Sequence, residues 1–275
     1  MTTGERIAKA RKAKGLSQEE LGARLDVTAQ AVSSWERDEY LPETKNLTAL
    51  ADALDVTMDS LLRETYGWEL KPVNFNAEHM FTFVKGRAQT CCLVQSLKVL
   101  EMLRPVHGRQ QRRSRYGFET SYTAHPLTMA CHALAMGIRD DNVIAAVLAH
   151  DMVEDSENPE LKPEDLPVND TVREAVRLVS KNLYDQDRPD WEEEYFREIR
   201  KNPLACLVKC LDRVNNLSGM ADGFRRSGMV RYTRETDRYY PDLLEEVKKV
   251  PEWNDAWWLL RYQMTALLET FKRLL

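Results

Sequence analysis

Apolar residues recur every three to four positions along almost the whole of this 275-residue chain, and runs alternating apolar with polar hardly occur. That spacing is the helical one: side chains three and four apart share a helix face, whereas a half-buried strand repeats every two. Ile7, Ala10, Leu16, Leu21, Leu25, Val32, Trp35, Leu47, Leu50, Leu54 and Leu61 fit several short helices. Longer helices are expected at about 91–104, 125–137, 141–153, 170–182, 190–200, 203–217 and 253–274, and residues 217–275 read as helical. The periodicity lapses from Glu64 to about Met80, which carries Gly67, Pro72 and two Asn, and again in the proline-rich loop from Ser156 to Pro167. The expected fold class is therefore all-α, in two parts: residues 1–63, a linker at 64–80, and residues 81–275.

Composition excludes several classes. Hydrophobic residues at 43% and charged residues at 30% suit a folded chain rather than a disordered one. No apolar run reaches the ~18–20 residues that span a bilayer, and the N-terminus lacks the apolar stretch of a secretory signal. Cys91, Cys92, Cys131, Cys206 and Cys210 show no CxxC spacing, so buried, reduced thiols and a cytoplasmic location are expected. A net charge of −5 argues against a protein that coats nucleic acid, but not against one local DNA contact.

At Ser17 the chain reads SQEELGARLDVTAQAVSSWERDEYLP. Ser17 with Glu20 forms a capping box, Asp26 and Val27 make a turn, and Thr28 caps a second helix over Ala29 to about Glu36. Two short helices joined this way form a helix-turn-helix. Residues 4–62 resemble the Cro/repressor (XRE-type) class, which implies five helices, with the second touching phosphate and the third entering the major groove of double-stranded DNA. By position, Gln18 becomes the phosphate contact, Thr28 opens the reading helix, and Gln30, Ser33, Ala29 and Ser34 become groove-facing candidates. Gln30 suits adenine chemically. Residues 1–66 hold 9 Lys+Arg against 12 Asp+Glu, and only residues 5–14 are basic (Arg6, Lys9, Arg11, Lys12, Lys14). Phosphate contacts supply most non-specific affinity, so weak binding that depends on a homodimer is expected. A purely dimerising or docking role is the alternative.

The second part contains AHDMVEDSE, in which an apolar run ends in His150, Asp151, Glu154 and Asp155. On a helix, His150 with Glu154 and Asp151 with Asp155 are i,i+4 neighbours, and carboxylates crowded beside an imidazole favour a cation. TAHPLTMACHALAMG supplies His125, and LACLVKCLDRVNNLSGM supplies Asp212, with Asn216 four residues on. Two imidazoles and two carboxylates suit Mn²⁺, Fe²⁺ or Zn²⁺ better than Ca²⁺. Five arginines and no acid lie between Arg104 and Arg115, a stretch able to grip phosphates.

The ordered elements QRR (111–113), AHP (124–126), HDMVED (150–155) and LDRVNN (211–216) resemble the hydrolase domain of RelA/SpoT-type enzymes, within the HD-domain metal phosphohydrolases. The resemblance implies Mn²⁺ held by His125, His150, Asp151 and Asp212. It also implies Glu154 and Asp155 acting on the attacking water, Arg113 on the nucleotide, and Asn216 at the ribose or base. The implied reaction removes the 3′-pyrophosphate of (p)ppGpp, giving GDP or GTP and pyrophosphate. Ser114 stands where relatives carry a basic residue, with Arg115 as the substitute, and the segment from Arg113 to His125 departs from the family pattern. Two alternatives follow: a nucleotide-sensing transcriptional regulator with little or no turnover, or an HD phosphohydrolase of another phosphorylated nucleotide. No synthetase half is expected, and Trp253, Trp257 and Trp258 read as packing rather than a ligand cage.

Overall fold

The computed structural model describes residues 1–62, 76–107, 110–113, 119–156, 158 and 160–275. The fold is all-α, and the described residues separate into two units. The first holds residues 1–62 together with Phe224–Val230, and the second holds the remainder up to Leu274. No helix among the described residues is long and apolar enough to cross a membrane.

The first unit contains α1 (Thr3–Ala13), α2 (Gln18–Arg24), α3 (Ala29–Glu36), α4 (Thr44–Leu54) and α5 (Met58–Leu62). Their starts are written in the sequence. Thr2 with Glu5 and Ser17 with Glu20 form reciprocal capping boxes, and the Thr28 side chain accepts from the Ala31 N–H. Asp26, at φ 54, closes α2 in the left-handed region that short polar side chains tolerate. Gly22 lets this turn approach: a Cβ there would sit 2.7 Å from the Val27 carbonyl oxygen. Ile7, Leu21, Val32, Trp35, Leu50, Leu54 and Leu61 share one core, and burial of each large apolar side chain contributes about 1.5–3 kcal/mol.

The second unit contains α6 (Ala77–Thr90), α7 (Val94–His107), α8 (Ala124–Ala135), α9 (Asp141–Ala149), α10 (Asp170–Val179), α11 (Trp191–Arg200), α12 (Pro203–Gly223), α13 (Arg226–Lys248) from Arg231 onward, and α14 (Asn254–Leu274). α9 is buried on every side from Val143 to Ala149, and α7, α8, α10 and α12 pack around it. A helix apolar all round belongs in the interior. Asp140 caps it through the Asn142 N–H, and the neighbouring Asp141 accepts the Gln95 and Ser96 N–H groups that open α7.

The structure corrects several expectations. The segment read as linker to Met80 is already helical from Ala77, because Asn76 accepts the Glu78 and His79 N–H groups and starts α6. Residues 111–113 and 119–121 form β1 and β2, an antiparallel pair with Gln111 opposite Ser121, where only helices and loops were expected. Cys206 and Cys210 are buried as expected, whereas Cys92, which closes the turn after α6 at φ 54, is exposed. The helix expected to run to 153 stops at Ala149. His150 Nδ1 lies 2.8 Å from the Val147 carbonyl, the oxygen that the Asp151 N–H would need to extend α9. His150 to Glu154 therefore lie on a turn, with one helix-like bond kept, from the Asp155 N–H to the Asp151 carbonyl at 2.8 Å.

Candidate metal centre

Three elements converge behind this turn. His125 is the second residue of α8, His150 caps α9 with Asp151 next in the turn, and Asp212 lies mid-way along α12. Ligand atoms of His125, His150 and Asp212 all lie within 4.8 Å of one another, and all three residues are buried. Asp151 joins them, with one oxygen 2.9 Å from His150 Nε2 and the other 3.6 Å from His125 Nε2. The imidazole centroids are 5.2 Å apart.

The outer nitrogens settle what this cluster needs. His150 Nδ1 faces the Val147 carbonyl and His125 Nδ1 faces Asn215 Oδ1 at 2.7 Å, so both rings donate there and turn a lone pair inward at Nε2. Those lone pairs meet carboxylate oxygens: Asp212 Oδ1 lies 3.1 Å from His125 Nε2 and 4.0 Å from His150 Nε2. Four electron-rich atoms facing one another repel unless a proton or a cation stands among them. His150 Nε2 is accordingly a buried polar atom with no hydrogen bond. Burial disfavours a charged His150, yet Asp151 and Asp212 outweigh it and hold the imidazole above its usual range. Burial also opposes charge on Asp212, and Lys209 with the two imidazoles holds that carboxyl well below its usual range. The donor set fits a divalent metal with mixed N/O ligation.

The acidic pair is handled differently by its surroundings. Glu154 Oε2 accepts the Lys181 N–H at 2.8 Å, where a short 3-10 turn (Lys181–Leu183) begins. Burial pushes the Glu154 carboxyl up despite that bond, and the charges of Asp151 and Asp155 add to the effect. The Tyr122 hydroxyl, just past β2, contacts Asp151 Oδ2 at 3.1 Å and hydrogen-bonds to Asp155 Oδ2. Asn216 Nδ2 lies 2.5 Å from Asp212 Oδ1, so its amide is turned onto the cluster rather than outward. Arg115 and the Arg113 side chain lie outside the described residues, and the Arg113 backbone ends β1. Sequence reasoning passed over Tyr122, Lys209 and Asn215. Asn215 was visible one residue from Asn216, and only helix rotation decides that it is the partner of His125.

On the first unit, Gln30 is exposed and Ser33 is half-buried on the free side of α3. Ser34 is not presented there. At 5% exposure it falls inside the buried arc that runs from Val32 round through Trp35, so the expected groove contact is corrected. The half-buried Ala29 and exposed Thr28 lie at the start of α3, and the Thr28 hydroxyl is engaged as its cap. Gln18 Nε2 donates to Glu36 Oε2 at 2.8 Å. The basic stretch is partly structural as well. Arg6 donates to the Leu61 carbonyl and Arg11 to Glu36, and both are buried.

The Helix-turn-helix family model matches residues 7–61. Residues 7–61 are a helix-turn-helix domain. Over 106 residues the chain is 34% identical to repressor protein C2 of Salmonella phage P22, covering 38% of this chain and 47% of that one. Over 148 residues it is 25% identical to the guanosine-3′,5′-bis(diphosphate) 3′-pyrophosphohydrolase of Aquifex aeolicus (strain VF5), covering 53% of this chain and 20% of the other. The chain thus spans less than half the length of these two relatives. A solved structure described as a metazoan ortholog of SpoT that hydrolyzes ppGpp aligns with 64% of this chain and 95% of its own, at 20% identity and a TM-score of 0.49.

Proposed function

We propose that the second unit is a metal-dependent phosphohydrolase that removes the 3′-pyrophosphate of (p)ppGpp, and that the helix-turn-helix domain directs it to DNA. The observation that carries this reading is the inward lone pair on each of two buried imidazoles, facing the carboxylates of Asp151 and Asp212. His125, His150, Asp151 and Asp212 would hold Mn²⁺, or Fe²⁺ or Zn²⁺ in its place. When bound, such an ion supplies Lewis acidity and a water that ionises near neutral pH. Similarity to the Aquifex aeolicus enzyme supports the substrate class.

The side chains divide the remaining work. Glu154 has one oxygen held by the Lys181 N–H, which leaves the other to accept the proton of the attacking water. Asp155, tethered by Tyr122, orients that water. Water adds to the phosphorus next to the 3′-oxygen, the bond from phosphorus to that oxygen breaks, and the nucleotide leaves with a 3′-hydroxyl. Arg113 and Arg115 grip the departing pyrophosphate. Asn216, its amide turned onto Asp212 Oδ1, steadies that ligand. On the first unit, Gln18 contacts phosphate, and Gln30 and Ser33 read the groove in a homodimer.

Purified protein with Mn²⁺ is expected to release pyrophosphate from ppGpp and to leave GDP. The His150→Ala, Asp151→Ala double variant is expected to lose that activity, and full activity in it would reject the site. Negligible turnover by the Mn²⁺-loaded protein, with DNA binding that responds to ppGpp, would make the chain a nucleotide-sensing regulator instead. A panel of other 3′-phosphorylated nucleotides and a nicotinamide dinucleotide phosphate tests the substrate.

A further inference from the structure

The helix that supplies Asp212 also supplies the group that restrains it. Lys209, one turn earlier on α12, is only 7% exposed, and an ammonium so buried is costly unless it is paired. Its Nζ lies 2.9 Å from Asp212 Oδ2. The hydroxyl of Tyr195, on α11, lies within electrostatic reach of the same ammonium. Tyr195 gives its own proton to the Val179 carbonyl at the end of α10, 2.8 Å away, so it offers Lys209 lone pairs alone. The tyrosine is fully buried, and its ring is packed between Tyr184 and Phe196 at centroid distances of 5.1 Å each. Lys209 is thereby buried near a rigid phenol and bonded to one oxygen of a carboxylate.

The two oxygens of Asp212 consequently have different surroundings. Oδ1 faces the Nε2 atoms of His125 and His150 and also accepts from the Asn216 amide, while Oδ2 is turned away from the imidazoles and bonded to the ammonium. A carboxylate ligates a divalent cation through one oxygen or both, and ligation through both fills a position that water would otherwise take. We propose that Lys209 is a positioning residue that confines Asp212 to one-oxygen ligation and so keeps a coordination position open for water. This inference rests on the metal-centre reading under Proposed function.

The test uses Mn²⁺ alone as the probe, on the full chain. Electron paramagnetic resonance of free Mn²⁺ gives the affinity, and water-proton relaxation by the bound ion gives the number of exchangeable waters. Lys209→Met is expected to bind Mn²⁺ at least as tightly as wild type and to lose about one exchangeable water, because Asp212 closes onto the ion with both oxygens. Lys209→Arg, which keeps the charge and the donor, is expected to retain the wild-type hydration. With ppGpp, Lys209→Met is expected to show kcat lowered about tenfold or more and KM within about threefold. An unchanged hydration number in Mn²⁺-loaded Lys209→Met overturns the proposal while leaving the metal centre standing. Should circular dichroism show that variant unfolded, Lys209→Gln is read by the same criterion, with partial loss of hydration expected and wild-type hydration overturning the role. Failure of the wild type to bind Mn²⁺ overturns the metal-centre reading itself, which is a separate and recognisable result.

Discussion

Single side chains carry consequences that separate measurements reach. Glu36 accepts from Arg11 Nε at 2.6 Å and from Gln18. Burial alone would raise its carboxyl, but the bonds from Arg11 and Gln18 outweigh burial and hold it below the usual range. A carboxyl depressed by folding contributes stability that is present above its unfolded pKa, about 4.3, and is lost as pH falls through the lower folded value. The amide-exchange protection factors of α1 to α3, taken against the intrinsic rate at each pH, are therefore expected to fall across that acid window in wild type and to depend less on pH in Glu36→Gln. Glu154 is displaced the other way by burial, and Glu154→Gln, which keeps the shape and removes the base, is expected to lose the acidic limb of the kcat/KM profile for ppGpp. A limb unchanged in that variant would remove Glu154 as the base. Gly22→Ala would push a Cβ against the Val27 carbonyl and is expected to cost about 1–3 kcal/mol, read by amide exchange in α2 and α3. At this scale much was legible. The capping residues Ser17, Glu20 and Thr28, and the ligand candidates His125, His150, Asp151 and Asp212, are chemistry-bearing side chains in recognisable runs. The inward turn of Ser34, Arg6 and Arg11 was not, because burial on one side of a short helix depends on which neighbour covers it.

At the level of elements, helix ends decide where the chemistry sits. Periodicity identified α9 but carried it past Ala149, since apolar spacing does not register that a histidine ring takes the carbonyl closing the last turn. That early stop turns His150 and Asp151 towards α8 and α12. The same element is held from its other end by Asp141, whose carboxylate accepts the Gln95 and Ser96 N–H groups and the Ser96 hydroxyl. A carboxylate at a helix start is favoured by both the free N–H groups and the macrodipole. Asp141→Ala is expected to lower the unfolding free energy of the second unit by about 1–2 kcal/mol in urea titration, with Asp141→Asn losing less. Strands β1 and β2 escaped the sequence reading because three-residue segments carry too little alternation to be distinguished from a loop.

For the whole molecule, a cation that binds the folded cluster and not the unfolded chain must stabilise it. At one hundred times its Kd, Mn²⁺ is expected to add about 2.7 kcal/mol to the second unit, and none in the His150→Ala, Asp151→Ala variant. Calorimetry with and without a chelator checks this, and amide exchange in α1 to α5 is expected to stay unchanged, since no candidate ligand lies there. The amino-acid sequence by itself determined the all-α class, the helix-turn-helix and the residue types able to hold a metal, because periodicity, caps and side-chain chemistry are local properties. Only tertiary structure decided that Asn215 rather than Asn216 orients His125, that Tyr122 links Asp151 and Asp155, and that Lys209 occupies one oxygen of Asp212. Those choices depend on how α8, α9, α11 and α12 rotate against one another, and that rotation is set by the packing of the whole interior.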